Sequence, residues 1–477
     1  MSLKIYNVMS RVKEDFVPLT PGRVKMYACG ITVSGDAHVG HAYQSVVFDV
    51  ITRYLKYKGF DVTYVRNYTD VDDNIIKNAN AIGQDPMEFA EQHIVTTDAQ
   101  MDALGNNPPT VMARATHCIG DIIKFIEKLM ASGHAYAADT GDVYFKLSSF
   151  PEYGKLSHIN IDKNEIAVRK DTEPGKQSEL DFALWKSAKP GEIYWESPWG
   201  RGRPGWHIEC SAMNMKFLGE QIDIHGGGRD LIFPHHENEI AQTESVTGRP
   251  FARYWVHCGL VKINGQKMSK SLGNGILLRD MLAKYDADTI RFALLRNTYS
   301  NDIDITDSFF PDAAHHIYKM YSTLCATATA DNSKADTAKT ETKIAEITDA
   351  FEHAMDDNFN TAHLLAMSFG WFDFMDTELR KPASNYDLRM IGAHVVKLFG
   401  VLNILQQDAC KYIFDVKTAF LNSHNITAEY IQERLAERTE AKKNRDFARS
   451  DAVRDELLAL GLQVRDTPHG TEWDIKF

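Results

Sequence analysis

The stretch "RVKMYACGITVSGDAHVGHAYQSVVFDVITRYLKYKGFDVTYVRNYT", residues 23–69, decides the fold. Residues 23–29 form an apolar-rich run that predicts a buried strand. In residues 42–59, Val46, Val47, Val50, Ile51, Tyr54 and Leu55 recur at helical spacing, and Gly59 offers a C-terminal stop. Residues 60–69 return as a second strand. Strand, loop, helix, strand is a βαβ unit, and such units place ligands at the carboxyl ends of their strands. The loop "CGITVSGDAHVGH", residues 29–41, occupies that position.

His38, Gly40 and His41 sit where the first strand gives way to its helix. A helix N-terminus has unpaired N–H groups and the positive end of the dipole, so it suits an anion. Imidazole N–H groups there can reach phosphate oxygens, and a glycine lets a base or ribose approach the backbone. Taken alone, HxGH reads as two surface histidines capping a helix, because so short a motif often matches by chance.

At 477 residues the chain is too long for one ordinary core, and roughly three domains follow from typical domain size. A formal net charge of −12 supplies no global attraction for nucleic acid, so a polyanion partner would need a local basic face. The cysteines (Cys29, Cys118, Cys210, Cys258, Cys325, Cys410) have no close pairs, which argues against a disulfide framework and suits a reducing cytoplasm. The start lacks the apolar run of a signal peptide, and no run of ~18 apolar residues could span a membrane. The expectation is a cytoplasmic protein, with a monomer as the default because no extended coiled coil is visible.

Residues from about 116 to 200 interrupt the α/β pattern, which resumes with "QIDIHGGGRDLIFPHHENEIAQTESVTG" and "FARYWVHCGLVKING". The small, polar, unperiodic run at 326–345 reads as a linker or mobile loop, and helical patterns then dominate to about residue 405. The tail beyond about 425 reads as a helix followed by a short strand or hairpin.

A second motif changes the meaning of the first. "KINGQKMSKSLGN", residues 262–274, carries Lys267 and Lys270 on a loop bounded by Gly265 and Gly273. Two lysines on such a loop can swing onto a polyphosphate and stabilise charge on a leaving pyrophosphate. Alone this is most simply a solvated basic loop. HxGH at a first βα turn, followed some two hundred residues later by KMSKS, resembles the class I aminoacyl-tRNA synthetases, in which these motifs bind ATP.

Other residues suggest a metal. Cys29 ends the first strand, Cys210 lies in "RPGWHIECSAM", and His235 and Glu239 stand at i, i+4 after Pro234. An i, i+4 pair presents two ligands to one ion, and two thiolates, an imidazole and a carboxylate make a zinc site. Spacing alone does not connect the four. His236, Glu237, His207 and Glu209 are equally plausible, and either cysteine taken singly is a buried small apolar residue.

The chain resembles the cysteinyl-tRNA synthetase family over nearly its full length. The segments "CGITV", "HVGH", "YVRNYTDVDDNI", "DFALWK", "GRPGWHIECSAM", "DIHGGGRDLIFPHHENEIAQ", "KMSKSLGN", "MDDNFNT" and "DTPHGTEW" carry the likeness. It implies one zinc ion on Cys29, Cys210, His235 and Glu239, with the substrate thiolate joining the metal. A zinc–thiolate bond can tell cysteine from serine without an editing domain. The resemblance further implies that Cys29, Thr69 and Trp206 meet the amino acid, with Trp206 covering its side chain. Gly40, Gly227 and Asp230 would join His38, His41, Lys267 and Lys270 in holding ATP with Mg2+. His38, His41, Lys267 and Lys270 would be catalytic, stabilising the transition state in which the cysteine carboxylate attacks the α-phosphate. The ribose of tRNA(Cys) would then take the cysteinyl group and release AMP.

The implied fold is α/β, with a Rossmann-like parallel-sheet catalytic domain, an insertion, a helical bundle and a small C-terminal α/β domain. Residues 1–115 and 200–265 would be the two halves of the catalytic domain, and 116–199 a connective insertion. Residues 266–320 would be the KMSKS-loop and stem-contact region, 321–410 the anticodon-side bundle, and 411–477 the anticodon-recognition domain. In the tail Arg434, Arg438, Lys442, Arg445 and Arg449 lie along one helical stripe that could track phosphates. By pattern alone, interleaved Glu433, Glu437 and Glu440 make this a solvated, ion-paired face. Trp473 is a candidate for stacking on an unpaired base.

The family pattern breaks after "CGITV". Ser34 and Gly35 replace an aromatic–acid pair, Tyr43 replaces an arginine, and Asp36 has no assigned role. Two rival readings stand beside the synthetase. A cysteine ligase of thiol-sugar biosynthesis should lack the C-terminal region, and a non-catalytic RNA-binding relative should have lost HxGH or KMSKS.

Overall fold

Residues 23–69 form the βαβ unit. In the computed structural model, which describes residues 2–159, 175–268, 273–467 and 470–476, strand β1 spans Arg23–Thr32, helix α1 Val39–Tyr57 and strand β2 Asp61–Thr69. Met26, Tyr27 and Ala28 are consecutive in β1 and fully buried, as expected of a parallel strand covered on both faces. Helix α1 buries Val46, Val47, Val50, Ile51, Tyr54 and Leu55, and Gly59 takes a left-handed φ of 88° just beyond its end.

After α1 come helix α2 (Pro86–Ala103) and strand β3 (Val111–Arg114). Beyond the insertion lie helix α3 (Trp206–Phe217), strand β4 (Ile222–Gly228), helix α4 (Glu237–Thr247) and strand β5 (Ala252–Cys258). The five strands make one parallel sheet in the order β5-β4-β1-β2-β3. This is the Rossmann-type order. The chain leaves β1 toward β2 on one side and returns to β4 on the other, so a crevice opens at the carboxyl ends of β1 and β4. The insertion builds a separate antiparallel sheet from Ala135–Ala137, Val143–Phe145, Phe182–Ser187 and Gly202–Pro204.

The chain clusters into two compact units. One comprises Met1–Phe310, Ala345–Phe369 and Gly400–Ile404, and the other Pro311–Ile344, Gly370–Phe399 and Leu405–Phe477. The five stretches expected from sequence are finer than this division. In the first unit the "MDDNFNT" segment acts as an anchor. Asn358 Oδ1 accepts from the Tyr6 N–H and the Tyr299 hydroxyl, both at 2.8 Å, and the Thr361 hydroxyl donates to the Leu295 carbonyl at 2.7 Å.

The second unit corrects two expectations. The expected linker at 326–345 is mostly helical, because one helix runs Phe309–Ala328 and the next starts at Thr337. Asp336 stops the loop early: its carboxylate accepts the Lys339 N–H at 3.2 Å, satisfying a donor at the helix start. Cysteine spacing likewise misled, since Cys325 and Cys410, 85 residues apart, form a disulfide. Their helices, Phe309–Ala328 and Ala409–Ser423, pack closely enough for Tyr321 and Tyr412 to stack at 4.0 Å, a proximity that sequence separation hides. No helix among the described residues is long and apolar enough to cross a membrane.

In the first unit, fully buried Arg291 donates to Asp49 Oδ2 at 2.6 Å, Asn106 Oδ1 at 2.7 Å and the Leu402 carbonyl at 2.8 Å. Asp49→Ala leaves this guanidinium without its counter-charge. The expected loss is about 3–5 kcal/mol, read as a lower urea midpoint for the transition that includes α1.

Candidate functional site

Cys29 lies near the carboxyl end of β1, at the crevice. The next residue, Gly30, has to be glycine, because a Cβ there would collide with the Asn67 carbonyl on β2. The Gly30 N–H donates to Asn67 Oδ1 at 2.9 Å, so the neighbouring strand pins this irregular stretch of β1. Helix α3 carries Cys210 to the same place, with its Sγ 3.7 Å from that of Cys29. His235 belongs to a wide turn, Ile232–His236, that leads into α4, and Glu239 is in the first turn of α4. Cys29 Sγ is 3.2 Å from Glu239 Oε1, and His235 Nε2 is 3.1 Å from the same oxygen.

The ligand atoms of Cys29, Cys210, His235 and Glu239 thus all lie within 4.8 Å of one another, and all four residues are buried. A second group, Cys29, His225, His236 and Glu239, meets the same limit. His225 escaped the sequence reading. It lies on β4, one strand from β1, with its Nε2 3.7 Å from Cys29 Sγ and 3.2 Å from Glu239 Oε2. The signal in the sequence was a histidine set between the apolar start of the strand and its glycines. Of the alternatives left open by spacing, His207 stands beside His235, with Nδ1 atoms 2.8 Å apart, whereas His236 belongs to the second group and has its Nδ1 2.8 Å from His257 Nε2. Glu237 is used elsewhere, accepting the N–H groups of Gly154, Leu156 and Ser157.

Burial and mutual charge tune these groups. Burial and the facing Cys210 push the Cys29 thiol well up, while the hydrogen bond from Cys29 holds Cys210 down to about 6. Burial alone would lower His235, yet the Glu239 carboxylate raises it to about 10. Burial likewise opposes ionisation of Glu239, and the charges of His225 and His235 hold it well below the usual carboxylate range. Burial, with His235 next to it, takes His207 well below the ordinary imidazole value. The result is a buried nest of two sulfurs, an imidazole and a carboxylate, a donor set that a thiophilic cation would bind in exchange for its protons.

Trp206 opens α3 and is 39% exposed, with its ring 4.3 Å from that of His235. It flanks the donor cluster on an accessible side. Thr69, at the end of β2, donates its hydroxyl to Glu209 Oε2 at 3.0 Å.

The HxGH turn caps α1 with its own side chains. The Gly40 N–H donates to His38 Nδ1 at 3.1 Å, the His38 N–H to His41 Nδ1 at 3.3 Å, and the two rings stack at 3.6 Å. The capping arrangement is therefore present. A Cβ on Gly40 would lie 3.3 Å from Met268 Cε, so the two motifs touch at this glycine. Lys267 is exposed at the end of the short strand Gln266–Lys267, and Lys270 lies outside the described residues. Asp230 is exposed, whereas Gly227 is buried and packs against the His236 ring, 3.1 Å from where its Cβ would be.

The tail differs from a single basic stripe. One helix ends at Lys443, Arg445 takes a left-handed φ of 58°, and the next helix starts at Phe447. Arg438 is 6% exposed and grips Asp466 at 2.6 and 3.0 Å; Lys442 joins the same carboxylate. Arg434 and Arg449 both pair with Glu437. These side chains hold the subdomain together, and Arg445 lies in the exposed turn. Trp473 packs in the cluster around Ile431, Val453, Leu457 and Leu462, with Lys417 Nζ 4.7 Å over its ring.

A family model described as tRNA synthetases class I (C) catalytic domain matches residues 15–315. The cysteine–tRNA ligase of Trichlorobacter lovleyi is 45% identical over 488 aligned residues, covering 100% of both chains. That of Geobacter metallireducens is 46% identical over 489, again across 100% of each. The chain belongs to the cysteine–tRNA ligase family of class I tRNA synthetases. Family membership makes ATP the common substrate and gives the donor cluster a place as a possible metal site. The crystal structure of Mycobacterium tuberculosis methionyl-tRNA synthetase bound by methionyl-adenylate shares the fold, with a TM-score of 0.62 over 80% of this chain and 92% of that one, at 13% identity.

The family's "HGGG" segment also has a packing role. A Cβ on Gly226 would strike the ring of Phe48 on α1 and come within 2.8 Å of the Val256 carbonyl. Gly226→Ala should therefore push α1 off the sheet and destabilise the protein by about 1–3 kcal/mol. The urea midpoint and near-ultraviolet circular dichroism would report it.

Proposed function

We propose that this chain attaches L-cysteine to tRNA(Cys) in an ATP-dependent reaction through cysteinyl-adenylate, selecting the substrate by its thiol. The observation that carries the reading is the convergence of Cys29, Cys210, His235 and Glu239 in a chain that aligns end to end with cysteine–tRNA ligases. Two sulfurs, one imidazole and one carboxylate suit a single zinc ion better than the alternative group with one sulfur. His207 fixes the orientation of His235, as partners of ligating histidines do. Bound zinc would supply a thiophilic Lewis acid that takes the substrate thiol as thiolate and leaves serine's hydroxyl uncompetitive.

The chain's own residues do the remaining work. Trp206 covers the bound side chain, and Thr69 bounds the pocket at the end of β2. The cysteine carboxylate oxygen attacks the α-phosphorus of ATP, and the bond to the bridging oxygen of pyrophosphate breaks. His38, His41, Lys267 and Lys270 stabilise charge on the phosphates, with Gly40, Gly227 and Asp230 around the nucleotide and Mg2+ accompanying ATP. A hydroxyl of the terminal ribose of tRNA then attacks the adenylate carbonyl, and AMP leaves. Rate enhancement comes from positioning and electrostatics, with no protein nucleophile. In the tail, Arg445 is the basic residue best placed to meet RNA, and Trp473 would have to yield Lys417 to stack on a base.

Purified protein should catalyse cysteine-dependent ATP–pyrophosphate exchange and charge tRNA(Cys). Exchange without charging would favour the thiol-sugar ligase, and no exchange would exclude both enzymes. Cys210→Ser should carry well under one zinc per chain by metal analysis and lose about 100-fold or more in kcat/KM for cysteine. Undiminished zinc in that variant would remove Cys210 from the ligand set.

A further inference from the structure

Asp36, in the "SGDA" segment where the family pattern breaks, has two partners. Its Oδ2 accepts from Arg279 Nη1 at 2.8 Å, and its Oδ1 lies 3.5 Å from Nδ1 of His93 on α2. Arg279 belongs to the short helix Leu278–Leu282, which follows the KMSKS segment. The backbone runs beside this ion pair in the same sense. The Leu278 N–H donates to the Ala37 carbonyl and the Val39 N–H to the Ile276 carbonyl, both at 2.9 Å, with His38 opposite Leu277 in an isolated β-bridge.

We infer that Asp36 is a positioning residue for adenylate formation, locking the HxGH turn in register with the chain that leaves the KMSKS segment. The inference rests on the proposed function. His38 and His41 cap α1 with their own rings, so a shift of residues 36–39 moves both rings together. Met268 packs on Gly40, so the same shift also disturbs the approach of the lysine-bearing segment. Two main-chain hydrogen bonds set the register of this short contact, and the Asp36–Arg279 pair reinforces it at its edge. Reacting groups are sensitive to small displacements. Arg279 has a second acid nearby, Asp280 at 3.6 Å, which would recapture it if Asp36 were neutralised.

The pair is partly exposed, at 28% for Asp36 and 58% for Arg279, so its strength is that of a screened ion pair. Asp36→Asn is expected to lower kcat/KM for ATP in cysteine-dependent pyrophosphate exchange by about two- to fivefold. The KM for cysteine, zinc content and single-turnover transfer from preformed cysteinyl-adenylate to tRNA should stay at wild-type values. The deficit should narrow in high salt as the wild type loses the same contact. Asp36→Arg should be worse, and adding Arg279→Asp should restore activity above that single variant. Wild-type ATP kinetics in Asp36→Asn, an equal loss in the transfer step, or a folded double variant without recovery would each overturn the inference. A wild-type chain without exchange would instead bring down the functional reading, and this inference with it.

Discussion

The site depends on β1 being the middle strand of a parallel sheet whose connections leave in opposite directions. Adjacent parallel strands with helices on opposite faces cannot close the space beyond their carboxyl ends, so a crevice results. Cys29 and His225 come from the two strands that border it, and Asn67 on β2 holds the irregular end of β1. Cys210, His235 and Glu239 then arrive on helices that pack against that sheet. A β1 at the sheet edge would leave these donors without a common centre.

Burial makes the cluster chemically unusual. Desolvation penalises each charge there, yet the charges are retained because each has an opposite partner within hydrogen-bond range. His225 and His235 hold Glu239 below the usual carboxylate range, and Glu239 in turn raises His235. Burial and Cys210 push the Cys29 thiol up, while Cys29 holds Cys210 down. Such a nest is poorly satisfied by its own members alone, and a cation that displaces the remaining protons would satisfy the thiol, imidazole and carboxylate together.

The HxGH and KMSKS motifs follow a different logic. HxGH is positioned by helix capping, and the chain around KMSKS by its contact with Gly40 and its strand-like pairing with residues 37–39. Elements far apart in sequence are thereby joined through main-chain hydrogen bonds, which do not depend on residue type. The Asp36–Arg279 ion pair reinforces that main-chain register. In the tail, the basic residues satisfy Asp466 and Glu437 before they can meet any external phosphate.

By itself, the sequence determined the βαβ unit, because apolar runs and helical spacing are local properties. It also displayed HxGH and KMSKS, whose combination pointed to the class I tRNA synthetases. It named Cys29, Cys210, His235 and Glu239 through a resemblance, though spacing alone could not connect them. Only the tertiary structure decided that the four converge, and that His225 joins them, since strand order is not written in any one segment. It also decided that Cys325 meets Cys410, that residues 337–345 are helical, and that the basic stripe is broken at Arg445. These outcomes share one physical cause: each depends on which surfaces pack together, and packing partners lie far apart along the chain.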